Sequence, residues 1–390
     1  MISFKKYIEN NFSDELIFLV SLSQDKLDEN SLPKDLDHID WNEFIRLAKK
    51  HRLVSHLLIH SKYLADNFPI RTYEKLIEIR LDHSKLALNY TVHALRVHEK
   101  FEENKISHCF FKGPFLSLDL YKDIGFRNFG DIDILVEKHN IEKAKQIIEE
   151  LDFKCIYPRI QLTKKQQKVN YSISHHYHFK HPKQNIHIEL HWTISNPKSY
   201  FGKETKDIIA ESSELAVSKY KLPYISKIDN LVYQAAHGAI HQWYRLFWLK
   251  DFSELFKKTS SKEIQMAFEL SKKLNLDKCF LQAINLSHLI YNIELPKNIN
   301  VEIRENLIKV PLSSIELTDL NQLGIKGKVK SLIYRLNLKP DLNYYFELIY
   351  RLRTHLIDWE LLKLPSSLFF LYYILRPFIL LYRFLFKKKS

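Results

Sequence analysis

Glycine is scarce in this chain. Seven glycines serve 390 residues, and three of them, Gly113, Gly125 and Gly130, fall between residues 110 and 136, so that stretch is where the scarce residue is spent. Cysteine is scarcer still. Cys109, Cys155 and Cys279 stand far apart with no Cys-x-x-Cys spacing, which argues against a disulfide framework and against a thiolate zinc site. Cys109 falls in an apolar run and reads as a small core residue. No low-complexity linker and no internal repeat divides the sequence. The N-terminal stretch MISFKKYIENNFSDELIFLV has no clean apolar run ahead of a small-residue cleavage site. It does not read as a signal peptide, and a cytoplasmic protein is expected.

What is present is ordinary in bulk and uneven in detail. A chain of 390 residues exceeds the ~250–300 at which a single core stops growing, so two or three domains are expected. Apolar residues at 45% and charged residues at 27% suit a folded globular chain. The net charge is +13, and residues 361–390 carry Lys363, Arg376, Arg383, Lys387, Lys388 and Lys389 with no acid. The remainder is only mildly basic and shows no basic stripe interleaved with aromatics, so nucleic acid is not an expected partner. The segment 364–390 is also the most apolar. A spanning helix needs ~20 apolar residues, whereas Arg376-Pro377 and then Arg383 interrupt this run. The segment reads as an interfacial helix on an anionic membrane surface, at the inner face, with each terminal lysine contributing ~1 kcal/mol. A buried C-terminal helix and a true span are the alternatives.

The periodicity changes along the chain. Residues 41–60 place Phe44, Leu47, Ala48, His51, Val54, Leu57 and Leu58 near one helical face. Residues 72–105 contain neither Pro nor Gly and read as one long helix. Strands are expected at 106–111, 131–136 and 153–158, and helices at 114–121 and 138–151, the first opening with Pro114, which a first helical turn tolerates. Residues 173–192 read as a hairpin turning at Pro182, Lys183, Gln184 and Asn185. From about 204 onward the pattern is helical. The expected architecture is α+β: an N-terminal helical region (1–105), a small mixed β-sheet core with helices (106–200), a C-terminal helical domain (201–360) and the basic apolar tail (361–390).

Acids occur inside these strands. Side chains alternate across a strand, so in DIDILV Asp131 and Asp133 share one face while Ile132 and Ile134 share the other. In residues 186–191, Ile186, Ile188 and Leu190 form one face, and His187, Glu189 and His191 form the other. If the two strands are neighbours in register, three carboxylates converge. Crowded acids resist ionising together, and a divalent cation relieves the repulsion. Oxygen ligands favour hard ions such as Mg2+ or Mn2+. His187 and His191 flank Glu189 in a pattern that suits either zinc or polar partners of the acids, and we take the second reading. Ahead of the acids, Lys112-Gly113 forms a turn into a helix. There the backbone can approach phosphate closely and free N–H groups face anions.

The layout resembles the DNA polymerase β-like nucleotidyltransferase superfamily. More narrowly, FFKGPFLSLDLY, FRNFGDIDILV, IHIELHW and AAHGAIHQWYRLFWLKDF are similar to an uncharacterised bacterial nucleotidyltransferase family, over roughly residues 30–300. The resemblance implies transfer of NMP from an NTP to a hydroxyl or phosphate acceptor, with release of pyrophosphate. The acceptor would be a small molecule, a saccharide or a lipid-linked intermediate. It implies Asp131, Asp133 and Glu189 as the catalytic acids that hold Mg2+ or Mn2+, and Lys112, Gly113, Arg127, His237 and Arg245 as nucleotide-binding residues. Pro114 stands where the wider superfamily carries a serine. That departure supports an alternative, a catalytically inactive nucleotide-binding or scaffold protein of a biosynthetic cluster.

Overall fold

Two compact units interleave along the chain. A helical unit comprises residues 1–93, 111–130 and 224–339, and a sheet unit comprises 94–110, 131–223 and 340–390. The computed structural model describes residues 2–28, 32, 33, 35–317 and 324–386.

In the helical unit, Asp40 caps the helix Trp41–His51 by accepting the N–H groups of Asn42 and Glu43, and Phe44, Leu47, Ala48 and His51 are buried as their spacing predicts. The helix does not reach residue 60. Arg52 turns left-handed at φ 55°, and the Leu53 N–H returns to the Ala48 carbonyl at 3.0 Å. This closure ends a helix by satisfying its last carbonyls, and a new short helix, Val54–Leu57, follows. The long expected helix forms as Ile70–Glu103. Helices Lys227–Ile240, Leu246–Lys257, Ser261–Lys273 and Asp277–Tyr291 pack on one another. Gly113 takes φ 61° and opens the helix Gly113–Tyr121 with a proline in its first turn, so the scarce residue stands where the backbone needs it.

The sheet unit is built on seven strands: β1 (His108–Phe110), β2 (Ile132–Val136), β3 (Lys154–Tyr157), β4 (His176–Lys180), β5 (His187–His191), β6 (Ser213–Val217) and β7 (Tyr220–Tyr224). Their spatial order is β3-β4-β5-β2-β1-β7-β6. The sheet is mixed: β2 and β5 run parallel, while β1–β2, β3–β4 and β4–β5 are antiparallel. The hairpin and the first three strands lie where expected. The helical reading beyond 204 is corrected by β6 and β7. β6 is a largely exposed edge strand with a single buried residue, Val217, so no apolar face announces it, and β7 contains Pro223, which lowers its strand signal.

The start of the tail belongs to this unit's core. Phe369 and Tyr372 pack with Ile173, Leu356 and Trp359, and the Tyr372 hydroxyl donates to the Leu362 carbonyl at 2.6 Å. The helix Leu371–Phe386 then continues through Pro377, with Arg376 paired to buried Asp358. Farther along, Ile374, Phe378, Leu381 and Tyr382 are exposed. Among the described residues no helix is long and apolar enough to cross a membrane. Lys387, Lys388 and Lys389, which the interfacial reading uses, lie outside the described residues.

Candidate functional site

The apolar face of the sheet fixes what its other face displays. Ile132, Ile134, Ile188, Leu190, Tyr177 and Phe179 are all buried, and alternation then turns Asp133, Glu189, His191, His176 and His178 the opposite way. Register aligns them. Asp133 lies beside Glu189 across the parallel β2–β5 pair. On the other flank of β5, His178 lies opposite Glu189, and His176 lies opposite His191. Three neighbouring strands therefore contribute to one polar patch.

The patch is compact. His191 Nε2 lies 3.3 Å from Asp133 Oδ1 and 3.2 Å from Glu189 Oε2, so the imidazole bridges two carboxylates. His176 Nε2 lies 3.8 Å from Glu189 Oε1, and His176 Nδ1 is 3.1 Å from His175 Nε2. His178 Nε2 and His187 Nδ1 share a contact of 2.9 Å. Asp133 and His191 are buried, while Glu189 and His176 are half-buried. Burial works against a charged His191, but Asp133 and Glu189 outweigh it and raise the imidazole above its ordinary value. Burial lowers His176 to about 4 despite the pull of Glu189, which leaves that ring neutral near pH 7.

Two of the three expected acids thus meet. Asp131 stands just ahead of β2 and is half-buried, at the mouth of the strand and not within its ladder. The donor chemistry fits a cation: one ligand atom each from Asp133, Glu189 and His191 lies within 4.8 Å of the others. The same holds for His175, His176 and His191, and for His98, Glu102 and His108. Trp192 braces the end of β5. Its N–H donates to the His175 carbonyl at 3.0 Å and its indole Nε1–H to the Tyr171 carbonyl at 3.2 Å.

Lys112, Gly113, Arg127, His237 and Arg245 all belong to the helical unit. There a chain of ring contacts joins three of them. The Lys112 ammonium lies 5.5 Å from the Tyr233 ring, the Tyr233 hydroxyl lies 3.4 Å from His237 Nδ1, His237 and His241 rings are 4.7 Å apart, and Trp248 stacks on His241 at 5.1 Å. The Arg245 guanidinium lies 6.0 Å from the Trp248 ring. Cations beside aromatic faces are a chemistry that can receive a base and its phosphates. Arg127 is placed differently. It is buried, and its Nε–H donates to Asp251 Oδ2 at 2.5 Å. The Tyr121 hydroxyl donates to Asp251 Oδ1 at 2.9 Å.

Sequence reasoning missed two features. In the sequence His176 reads only as part of a hairpin, and pairing β4 with β5 places it on the face of its cross-strand neighbours. A cavity of about 1120 Å3 in the sheet unit, walled in part by Trp192, Thr193, Lys138, Lys198 and Arg353, draws on residues 138 to 353 and has no linear signature.

Residues 37–292 match the family model described as an uncharacterised nucleotidyltransferase. No curated protein matches the chain.

Proposed function

The chain belongs to the uncharacterised nucleotidyltransferase family, and from that premise we propose that it transfers NMP from an NTP to a hydroxyl or phosphate acceptor. The observation that carries the reading is the side-by-side placement of Asp133 and Glu189 on β2 and β5, with His191 bridging them. Asp131, Asp133 and Glu189 would hold Mg2+ or Mn2+, which supplies charge stabilisation at the phosphoryl oxygens. The acceptor oxygen forms a bond to the α-phosphorus, the α–β phosphoanhydride bond breaks, and pyrophosphate leaves with the electron pair. Glu189, the more exposed of the paired carboxylates, takes the acceptor proton. The resemblance gives Lys112, Gly113, Arg127, His237 and Arg245 to the nucleotide, and the Lys112–Tyr233–His237 contacts support the first and fourth of these. In this reading the cavity beside Trp192 takes the acceptor, and Lys138, Lys198 and Arg353 on its wall suit one that carries phosphate or carboxylate.

Purified protein incubated with each NTP, Mg2+ or Mn2+ and a metabolite extract is expected to release pyrophosphate, and Asp133→Asn and Glu189→Gln are expected to abolish the release. Release that survives both substitutions in folded protein overturns the reading. Thermal stabilisation by an NTP with no pyrophosphate from any mixture supports instead the silent nucleotide binder that Pro114 favours.

The exposed residues Ile374, Phe378, Leu381 and Tyr382 recur at helical spacing on one side of Leu371–Phe386. They would lie at an anionic membrane surface, with Arg383 and the lysines that follow in sequence. Flotation with vesicles of anionic lipid tests this: protein that stays at the bottom of the gradient with anionic vesicles rules it out.

A further inference from the structure

We propose that the ion held on this sheet face is a transition metal ligated through nitrogen, with His191 and His176 joining Asp133 and Glu189 in its donor set. The inference rests on the reading of this face as the transferase centre and deepens it by adding two imidazoles to the carboxylates already assigned to the ion, which narrows the kind of metal.

The potential ligands come from three adjacent strands, with His175 just ahead of β4, in two groups that share His191, Asp133–Glu189–His191 and His175–His176–His191, and register sets their alignment. Asp133 and Glu189 are direct neighbours, His191 lies two residues beyond Glu189 on the same face, and His176 sits directly opposite His191. His191 Nε2 is within 3.3 Å of one carboxylate and 3.2 Å of the other. His176 Nε2 faces the remaining oxygen of Glu189 at 3.8 Å. A ligating imidazole is ordinarily oriented through its second nitrogen, and His176 has that arrangement, with Nδ1 on His175 at 3.1 Å. Mg2+ takes oxygen ligands and keeps much of its water. Imidazole suits zinc, iron, nickel and copper, and mixed nitrogen–oxygen sites follow the general rise in affinity from Mn2+ through Co2+. A divalent ion among two carboxylates and two neutral imidazoles gives a neutral ensemble, so the charge argument that called for a cation is met without further partners.

The full chain, stripped with a chelator, is titrated with Co2+ and followed by visible absorption. Zn2+, Mn2+ and Mg2+ are ranked by competition, and the Mn2+ form is examined for nitrogen hyperfine coupling. One ion per chain is expected, with cobalt d–d bands, nitrogen coupling, and Zn2+ and Co2+ bound more tightly than Mg2+. His176→Gln is expected to weaken Zn2+ and Co2+ binding about 10–100-fold with little change for Mg2+. Because His191 is buried, His191→Gln is read only in protein whose circular dichroism is unchanged, and half-buried His176 carries the test if it is not. Asp133→Asn is expected to remove the site, which separates it from the His98–Glu102–His108 group. Absence of nitrogen coupling, or Zn2+ affinity indifferent to His176→Gln, overturns the proposal. Nitrogen ligation without nucleotidyl transfer under any metal would sink the transferase reading and leave this inference standing, while transfer with oxygen-only coordination would do the reverse.

Discussion

Asp251 in the helical unit and Asp133 in the sheet unit are both buried, and their charges are balanced in opposite ways. Asp251 meets a permanent cation, the Arg127 guanidinium, and a hydroxyl from Tyr121. Burial still pushes its carboxyl up, against the pull of both partners. Asp133 meets His191, an imidazole shared with Glu189. Arginine stays charged at any accessible pH, whereas histidine can surrender its proton. The first arrangement is a closed structural lock. The second holds its positive charge only as long as a proton stays, so a metal ion can replace it.

If that contrast is right, the largest effect on stability comes from the lock. Arg127→Met leaves Asp251 buried without its cation, and we expect a loss of about 3–5 kcal/mol, read as a shift of the urea unfolding midpoint. A midpoint near that of the parent, with weakened NTP binding, would leave Arg127 to nucleotide recognition alone. Asp133→Asn should do the converse. It relieves carboxylate crowding, so the midpoint holds or rises, while pyrophosphate release is lost. A variant that unfolds would show the sheet face to be a second lock.

A smaller effect sharpens the helical side. His51 is fully buried and its Nδ1 accepts the Leu246 N–H at 3.1 Å, so the ring is neutral there. Burial, together with Lys50, Arg46 and Arg245, holds its folded value well below the ordinary 6.5. Its contribution to stability is complete above about 6.5 and is lost as pH falls, because only the unfolded chain takes up the proton. Each pH unit below 6.5 should cost up to about 1.4 kcal/mol through this one group, and His51→Gln should flatten the fall in stability measured between pH 6.5 and 5. Weakest of all, replacing one tail cation, as in Arg383→Gln, should lower affinity for anionic vesicles by about 1 kcal/mol, as measured by sedimentation.

The two sites were unequally legible in the sequence. Alternation alone placed Asp133 and Glu189 on polar strand faces, because Ile132, Ile134, Ile188 and Leu190 declare the apolar side. It could not place Asp131 relative to the end of the ladder, since a strand's first residue is set by its partner and not by its own side chain. The Arg127–Asp251 pair spans 124 residues with no shared period, so nothing local marks it. β6 escapes because an exposed edge strand needs no apolar face, and β7 because Pro223 weakens its strand signal. The early end of helix Trp41–His51 was hidden because Arg52 adopts a left-handed backbone that glycine would have signalled.

The parallel alignment of β2 with β5 has a consequence for sequence change. Because strand side chains repeat every two residues, sliding β5 one position past its neighbour would turn Glu189 and His191 onto the apolar face and Ile188 and Leu190 onto the polar one. A single-residue deletion inside the strand thus threatens greasy packing and chemistry in one stroke, whereas the exposed connection at Pro182–Asn185 can lengthen or shorten harmlessly. Drift in this lineage should therefore collect gaps in the connection and leave the spacing from Ile186 to His191 untouched.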